Sequence, residues 1–117
     1  MTITTVCKKA IIEMIDDNLV SGSLGTSNQS PSATDTSLIS EVTSTIQSIT
    51  GAANNQQLVI TYNLNSVTGN GNTYTEYGNK FTNSITTSEI LLDRITFTGV
   101  PKNSALEFQV STIINVI

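Results

Sequence analysis

Alternating apolar and polar side chains between Ile90 and Ile117 constrain the fold more than any other feature of the sequence. Two alternating runs flank the segment Gly99-Val-Pro-Lys-Asn103, and this pattern predicts two antiparallel strands joined by a turn. In the second run, from Leu106 to Val116, even-numbered positions are mostly apolar and odd-numbered positions are mostly polar. Because successive side chains of a strand point to opposite faces, one face should be buried and the other should meet water or a partner.

The last residues of this run break the alternation. Ile113 and Ile117 place apolar side chains on the polar face, and no other segment is an obvious cover for the final residues Asn115, Val116 and Ile117. Apolar surface that is left uncovered is typical of an interaction site. We therefore predict an interface with a neighbouring subunit at Ile113, Asn115, Val116 and Ile117.

The length of 117 residues predicts one domain, residues 1–117, with three parts. Residues 1–20 are predicted to contain an α-helix, residues 21–36 a polar loop and residues 37–117 a β-sandwich. The loop prediction follows from the near absence of apolar side chains between Ser21 and Thr36.

The predicted helix runs from Thr5 to Leu19, with Thr4 or Thr5 as its N-cap. It has an apolar stripe at three- and four-residue spacing, composed of Val6, Ala10, Ile11, Met14, Ile15 and Leu19. We expect this stripe to pack on the sheet or, as the alternative, against a copy of itself. The helix also carries lysines at its start and aspartates at its end, an order that opposes the helix dipole.

Strand signals dominate the remainder of the chain. A helical turn is expected over Ser37–Val42, followed by a strand from about residue 43. A turn is expected at 51–55, and the alternation that follows predicts a clear strand at 57–67. The Asn70-Gly71 pair predicts a hairpin to a strand over 73–77. Together these elements predict a mainly β fold, an antiparallel β-sandwich with hairpin connections and the N-terminal α-helix packed on it.

The composition excludes several functions. The sequence contains no histidine and a single cysteine, Cys7, so Ser/His and Cys/His catalysis and zinc sites are excluded. A net charge of −4 with five basic residues makes nucleic acid an unsuitable partner. We therefore expect no catalytic, cofactor-binding or metal-binding residues, and neither a nucleic-acid nor a membrane partner. The amino-terminal segment lacks a signal-peptide pattern, which predicts a protein made and retained in the cytoplasm or carried within a larger particle.

One pair of opposite charges lies within the strand region. Glu76 belongs to the strand at 73–77, and Arg94 belongs to the strand that begins near Ile90. We predict that the two strands are neighbours and that Glu76 and Arg94 pair across a partly buried surface. The alternative is that the two residues are unrelated surface charges.

The order of several short motifs resembles a group of structural proteins of tailed bacteriophages, including collar-like domains of tail-fibre proteins. A glycine-containing loop leads to Pro31-Ser-Ala-Thr-Asp-Thr-Ser-Leu-Ile-Ser-Glu-Val42, and Glu76-Tyr77-Gly78 follows a hydrophobic strand. Leu91-Leu-Asp-Arg94, a turn with Lys102 and an apolar terminal strand complete the pattern. The resemblance covers the chain from about Gly22 onward.

This resemblance implies a non-enzymatic virion protein, made in the host cytoplasm, that contacts copies of itself and other virion proteins such as major capsid or tail proteins. The short chain favours a homo-oligomeric accessory, with a trimer as the expected assembly, that docks on the capsid as a decoration or cement protein. A tail, neck or baseplate component is the first alternative. A receptor- or carbohydrate-binding module, which would need exposed aromatic side chains, and a small enzyme with paired carboxylates are the others.

Overall fold

A computed structural model describes residues 1–83, 85 and 87–117 as one α-helix and two antiparallel sheets. In chain order the elements are α1 (Thr5–Asp17), β1 (Leu19–Gly25), a 3-10 helix (Thr43–Thr45), β2 (Gln47–Ser48), β3 (Thr50–Asn54), β4 (Gln57–Leu64), β5 (Thr73–Thr82), β6 (Glu89–Pro101) and β7 (Phe108–Asn115). One sheet has the strand order β2-β1-β5-β6 and the other β3-β4-β7. The predicted mainly β, antiparallel sandwich with one N-terminal helix is confirmed.

The core lies between the two sheets. On β4, alternate side chains are almost fully buried, as the sequence pattern predicts; they are Leu58, Ile60, Tyr62 and Leu64. Across the core, β5 contributes Tyr74 and Tyr77, and the rings of Tyr62 and Tyr77 meet edge to face at 5.0 Å. This arrangement is one that paired aromatic rings favour, and it joins the two sheets at their centre.

The predicted apolar stripe of residues 5–19 is buried only in part: Ile15 and Leu19 pack against the core, and other members of the stripe do not. Helix α1 starts at the predicted cap, where the Thr4 hydroxyl accepts a hydrogen bond from the Cys7 amide at 3.2 Å, and it contacts β3 and β4. Ile12, which lies outside the predicted stripe, is fully buried, whereas Val6 and Met14 of that stripe are 79% and 55% exposed. A sandwich only two sheets thick covers one side of the helix, so the second apolar side is left in solvent.

The first part of the predicted polar loop is a strand. Residues Leu19–Gly25 form β1, which lies between β2 and β5 inside the four-stranded sheet, so the loop prediction for 21–36 is wrong as far as Gly25. A Cβ atom at Gly22 would lie 2.8 Å from the Tyr62 ring, and one at Gly25 would lie 2.6 Å from the Ser40 carbonyl oxygen. Glycine and serine occur here because large core groups approach the backbone closely.

The region after the loop also differs from the prediction. Residues 37–42 form no helical turn; helical geometry is confined to the short 3-10 helix at Thr43–Thr45. Strand β3 extends to Asn54, so the chain reverses at residues 55–56 rather than over 51–55. The backbone amides of this segment are bound by a buried side chain, which competes successfully with a local helix.

Two connections that were predicted to be hairpins instead carry the chain from one sheet to the other. Strand β4 pairs with β3 and β7, not with β5, although the Asn70-Gly71 turn lies between β4 and β5. Likewise β6 pairs with β5 and β7 pairs with β4, so the two closing strands are not hydrogen-bonded to each other. Each of these strands has one apolar face, and placing the strands in opposite sheets lets those faces bury one another. The residues of a turn determine that the chain reverses there, but they do not determine which strand each flanking strand pairs with.

Gly22→Ala should destabilise the fold by about 1–3 kcal/mol, because its methyl group would overlap the tyrosine rings at the centre of the sandwich. Urea unfolding monitored by tyrosine fluorescence would measure the change. Ser48→Ala, at an exposed position of the neighbouring strand β2, is the control and should be close to neutral. Equal stability of Gly22→Ala and the wild type would contradict the close packing described for β1.

Candidate interaction surface

The predicted pair of Glu76 and Arg94 is present and is completely enclosed. Strands β5 and β6 are neighbours, with Gly78 opposite Arg94 and Thr96 opposite Glu76, so the two charged side chains lie on a diagonal. Arg94 Nε donates to Glu76 Oε1 at 2.9 Å, and the side chains are 1% and 0% exposed. The prediction placed this pair at a partly buried surface; the loop that follows β1 covers it instead.

Glu76 binds the backbone of that covering loop. Its carboxylate accepts hydrogen bonds from the amides of Ser27 at 3.1 Å, Ile39 at 3.0 Å and Ser40 at 2.8 Å. Burial alone would raise the pKa of Glu76, but the bonds from Arg94 and from these three amides outweigh it and hold the pKa below its usual value. The carboxylate therefore stays ionised and connects the start of the loop to its end.

Arg94 binds the middle of the same loop. Its Nη1 lies 3.3 Å from Asp35 Oδ2, and its Nη2 donates to the Gln29 carbonyl oxygen at 2.8 Å. We call residues 26–40 the clamped loop, because Glu76 and Arg94 hold it at four backbone positions. The loop exposes hydroxyl and amide side chains at Thr26, Asn28, Gln29, Ser30, Ser32, Thr34, Thr36 and Ser37.

A second buried polar cluster connects the two sheets. Asn79 on β5 donates from its side-chain nitrogen to Asp93 Oδ1 at 2.9 Å and to Thr112 Oγ1 at 3.0 Å, and its side-chain oxygen accepts from the Tyr77 hydroxyl. Thr112 belongs to β7 of the opposite sheet, so Asn79 links the sheets directly. Burial raises the pKa of Asp93, and the hydrogen bonds from Asn79 only partly oppose this.

Strands β6 and β7 form unpaired edges on one side of the sandwich. Among the described strands each has a single neighbour, and the rings of Phe97 and Phe108 meet at 6.3 Å to hold the two edges together. Both edges expose aliphatic side chains, namely Ile90, Ile95 and Val100 on β6 and Ile113 on β7. Free backbone groups beside exposed apolar side chains are a template for pairing with another chain.

The four residues of the predicted interface do not all lie on this surface. Ile113 is 60% exposed on the outer face of β7, and Asn115 is exposed beside Gln57 of β4. Ile117 is fully exposed. Val116, however, is half-buried against the core, and the Gln56 side chain donates to its carbonyl oxygen at 2.7 Å. Val116 is thus covered within the chain and is removed from the candidate surface.

Several contacts in these two polar clusters were not predicted from the sequence. The roles of Asp35, Asn79 and Asp93 depend on loop and strand placement, because Asp35 meets Arg94 across 59 positions, Asn79 meets Thr112 across 33 and Asp93 meets Asn79 across 14. The described residues contain no group of three or more His, Cys, Asp or Glu side chains that could hold a metal ion. None of the described helices is long and apolar enough to cross a membrane.

Comparison of the chain with protein-family models, with curated protein sequences and with solved structures found no significant match. The interaction surface therefore has to be interpreted from its own contacts and exposure.

Replacement of Arg94 by methionine should destabilise the protein by about 3–5 kcal/mol, because Glu76 would keep its charge in a buried site without its cation. The matched control is Lys9→Met, which removes a cation from the exposed Lys9–Glu13 pair on α1 and should change stability by less than about 0.5 kcal/mol. Hydrogen exchange of the Ile39 and Ser40 amides would report release of the clamped loop. Unchanged exchange in Arg94→Met would show that the loop is held by other contacts.

The two buried carboxylates should affect stability with opposite dependence on pH. The pKa of Glu76 is lowered by folding, so its stabilisation is present above the usual glutamate pKa and is lost as the pH falls through the folded value. The pKa of Asp93 is raised, so the folded state binds more protons between the usual and the raised values, and stability falls as the pH rises through that window.

Urea unfolding of two variants from about pH 3 to about pH 7 would test this opposition. Asp93→Asn should be more stable than the wild type near neutral pH and should lose that advantage in acid, since an amide oxygen can accept the same bonds from Asn79. Glu76→Gln should be less stable near neutral pH, with a deficit that shrinks in acid. Differences from the wild type that do not vary with pH would contradict the assignment.

Proposed function

We propose that this chain is a non-enzymatic structural protein of a tailed-bacteriophage virion, a homo-oligomeric accessory that docks on the capsid as a decoration or cement protein. The observation that supports it best is the pair of unpaired edges, β6 and β7, on one side of a small sandwich. A decoration protein has to bind neighbouring subunits through extended surfaces, and strand edges provide such contacts through their backbone.

The edges have the features of a surface that another chain covers. Strand β6 is 13 residues long, with aliphatic side chains exposed at Ile90, Ile95 and Val100, and it lacks the lysines that commonly protect a free edge. Its neighbour β7 presents Ile113 between Ser111 and Asn115. An edge of this length and composition is suited to being covered in an assembly.

The clamped loop provides a second surface of a different kind. Glu76 and Arg94 fix its backbone within the single chain, while its hydroxyl and amide groups remain exposed. Fixing the loop in advance reduces the conformational entropy that binding would otherwise cost. A rigid polar loop beside unpaired strand edges is consistent with repeated contacts on a symmetric particle, where many modest contacts add to a tight attachment.

A tail, neck or baseplate component is the second candidate, because edge pairing and a polar loop would serve ring-like assemblies equally well. The carbohydrate-binding alternative is less supported. All three tyrosines are buried, with hydroxyls bonded inside the chain, and Phe81, Phe97 and Phe108 are half-buried, so the aromatic side chains are used in packing.

Quantitative mass spectrometry of purified particles of the phage that encodes this chain would test the proposal. Hundreds of copies per particle are expected for a capsid decoration protein, whereas multiples of three, five or six below about one hundred would indicate the tail or neck. Absence of the chain from purified particles would overturn the virion role.

Substitutions on the strand edges would test whether β6 and β7 attach the chain to the particle. Ile95→Lys and Ile113→Lys, which add charge to β6 and β7, should lower the copy number at least tenfold, while Val67→Lys should leave it unchanged. Val67 is 79% exposed in the segment between β4 and β5, so its variant adds the same charge away from both edges. Normal occupancy in both edge variants would show that attachment uses another surface.

A further inference from the structure

We propose that the exposed side of α1 is a contact between two copies of this chain, in which the helices cross antiparallel about a two-fold axis at Ala10. The residues of this contact are separate from the strand edges, and the contact does not depend on a role in a virion. The exposed apolar stripe of one helix would be covered by the same stripe of the other copy.

The stripe consists of apolar side chains that the chain's own sheets leave in solvent. Ile3, Val6 and Met14 are 47%, 79% and 55% exposed, and Cys7 and Ala10 are exposed between them. The opposite side of α1 already packs on the core through Ile12 and Ile15. A helix with apolar residues on two opposite sides typically packs against a partner on each side.

The spacing of the stripe suits a second helix. Within α1, Cys7 and Ala10 are three positions apart, and Val6, Ala10 and Met14 follow one another at four-residue spacing, as in helices that pack side by side. Val6 and Met14 lie about 12 Å apart along the helix, with the small side chain of Ala10 at the midpoint. A small residue at the centre lets two helix backbones approach closely, and the larger side chains on each side then fill the space around it.

Charge determines the direction of the second helix. The exposed charges of α1 are Lys9 in its first half and Glu13 and Asp17 in its second half, whereas Lys8 and Asp16 are half-buried on the core side. Within one chain this order is unfavourable, because the cations lie nearer the positive end of the helix dipole and the anions nearer its negative end. An antiparallel copy places its exposed acids beside Lys9 and its own Lys9 beside the exposed acids. A parallel copy would place like charges together.

A groove at the end of the stripe provides a place for the start of the second copy. Met14, Asn18, Phe81 and Ile90 line a depression beside the C-terminal end of α1. Thr5, the first residue of α1, precedes Ala10 by five positions and Ile15 follows it by five, so a two-fold axis at Ala10 places the start of the copy's helix, with Ile3 just before it, near the C-terminal part of α1 and this groove. The half-exposed Ile3 side chain and this apolar groove would then cover each other.

Cysteine cross-linking of the full chain distinguishes the antiparallel contact from a parallel contact and from no contact at this surface. In a Cys7→Ser background, Val6→Cys and Met14→Cys are prepared separately, mixed and oxidised with copper phenanthroline. The antiparallel contact predicts a covalent dimer that is at least tenfold more abundant in the mixture than in either variant alone, because residue 6 faces residue 14 of the copy. In the two-fold arrangement, the two copies of residue 6 lie about 12 Å apart, too far for a disulfide.

Ala10→Cys in the same background should cross-link by itself, since this residue lies on the axis. Efficient cross-linking of Val6→Cys alone would indicate parallel helices and would overturn the proposal, as would the absence of a covalent dimer from all samples. Capture of a different protein on the stripe, with no dimer, would likewise overturn it.

Sedimentation equilibrium provides the second measurement. Ala10→Glu should weaken self-association at least tenfold, while Val67→Glu, the control at an exposed site, should not. Glutamate is a good helix former, so the unfolding midpoint of Ala10→Glu at low protein concentration should match that of the wild type. Added salt should weaken the wild-type association, because opposite charges across the contact are screened. Equal association of Ala10→Glu and the wild type would overturn the proposal even if the strand-edge variants behave as expected.

Discussion

The buried ion pair of Glu76 and Arg94 is the interaction on which the organisation of the surface depends. Removing two charges from water costs several kcal/mol for each ion, and the attraction between them compensates only when the remaining hydrogen-bonding capacity is used. Here the loop supplies those bonds: three backbone amides donate to Glu76, and a carbonyl oxygen and Asp35 accept from Arg94. The pair and the clamped loop therefore require each other, and a long polar segment has a defined position without an apolar core of its own.

The distribution of aromatic side chains has a related consequence for function. All three tyrosines lie in the core, and each hydroxyl finds a partner there; Tyr62, for example, donates to the Thr45 carbonyl oxygen at 2.6 Å. Buried tyrosines of this kind join the sheets while satisfying their polar ends. The outer surface is left to hydroxyl and amide groups, with aliphatic residues along the free edges and on α1. Such a surface is suited to contacts between proteins, which agrees with the proposed structural role.

Helix α1 shows how the apolar pattern of a segment can serve two partners. Its side chains Ile12 and Ile15 belong to the core of the chain, while Val6, Ala10 and Met14 point away from it. The order of charges along the helix is unfavourable in one chain and becomes favourable beside an antiparallel copy. Packing within the chain and packing between chains thus use opposite sides of one short element.

The sequence by itself determined the fold class and the strand at β4 with its buried face, because a period-two pattern acts within one strand. It offered two caps for α1 and two interpretations of Glu76 and Arg94, and the structure selected Thr4 as the cap and the buried ion pair. Only the tertiary structure decided that β1 is a strand, that β4 and β5 lie in different sheets, and which side of α1 is buried. The glycine and serine residues of β1 give it no alternating apolar pattern. A turn such as Asn70-Gly71 reverses the chain but does not determine which strands pair. Those choices depend on which apolar faces can bury one another once all the strands are present.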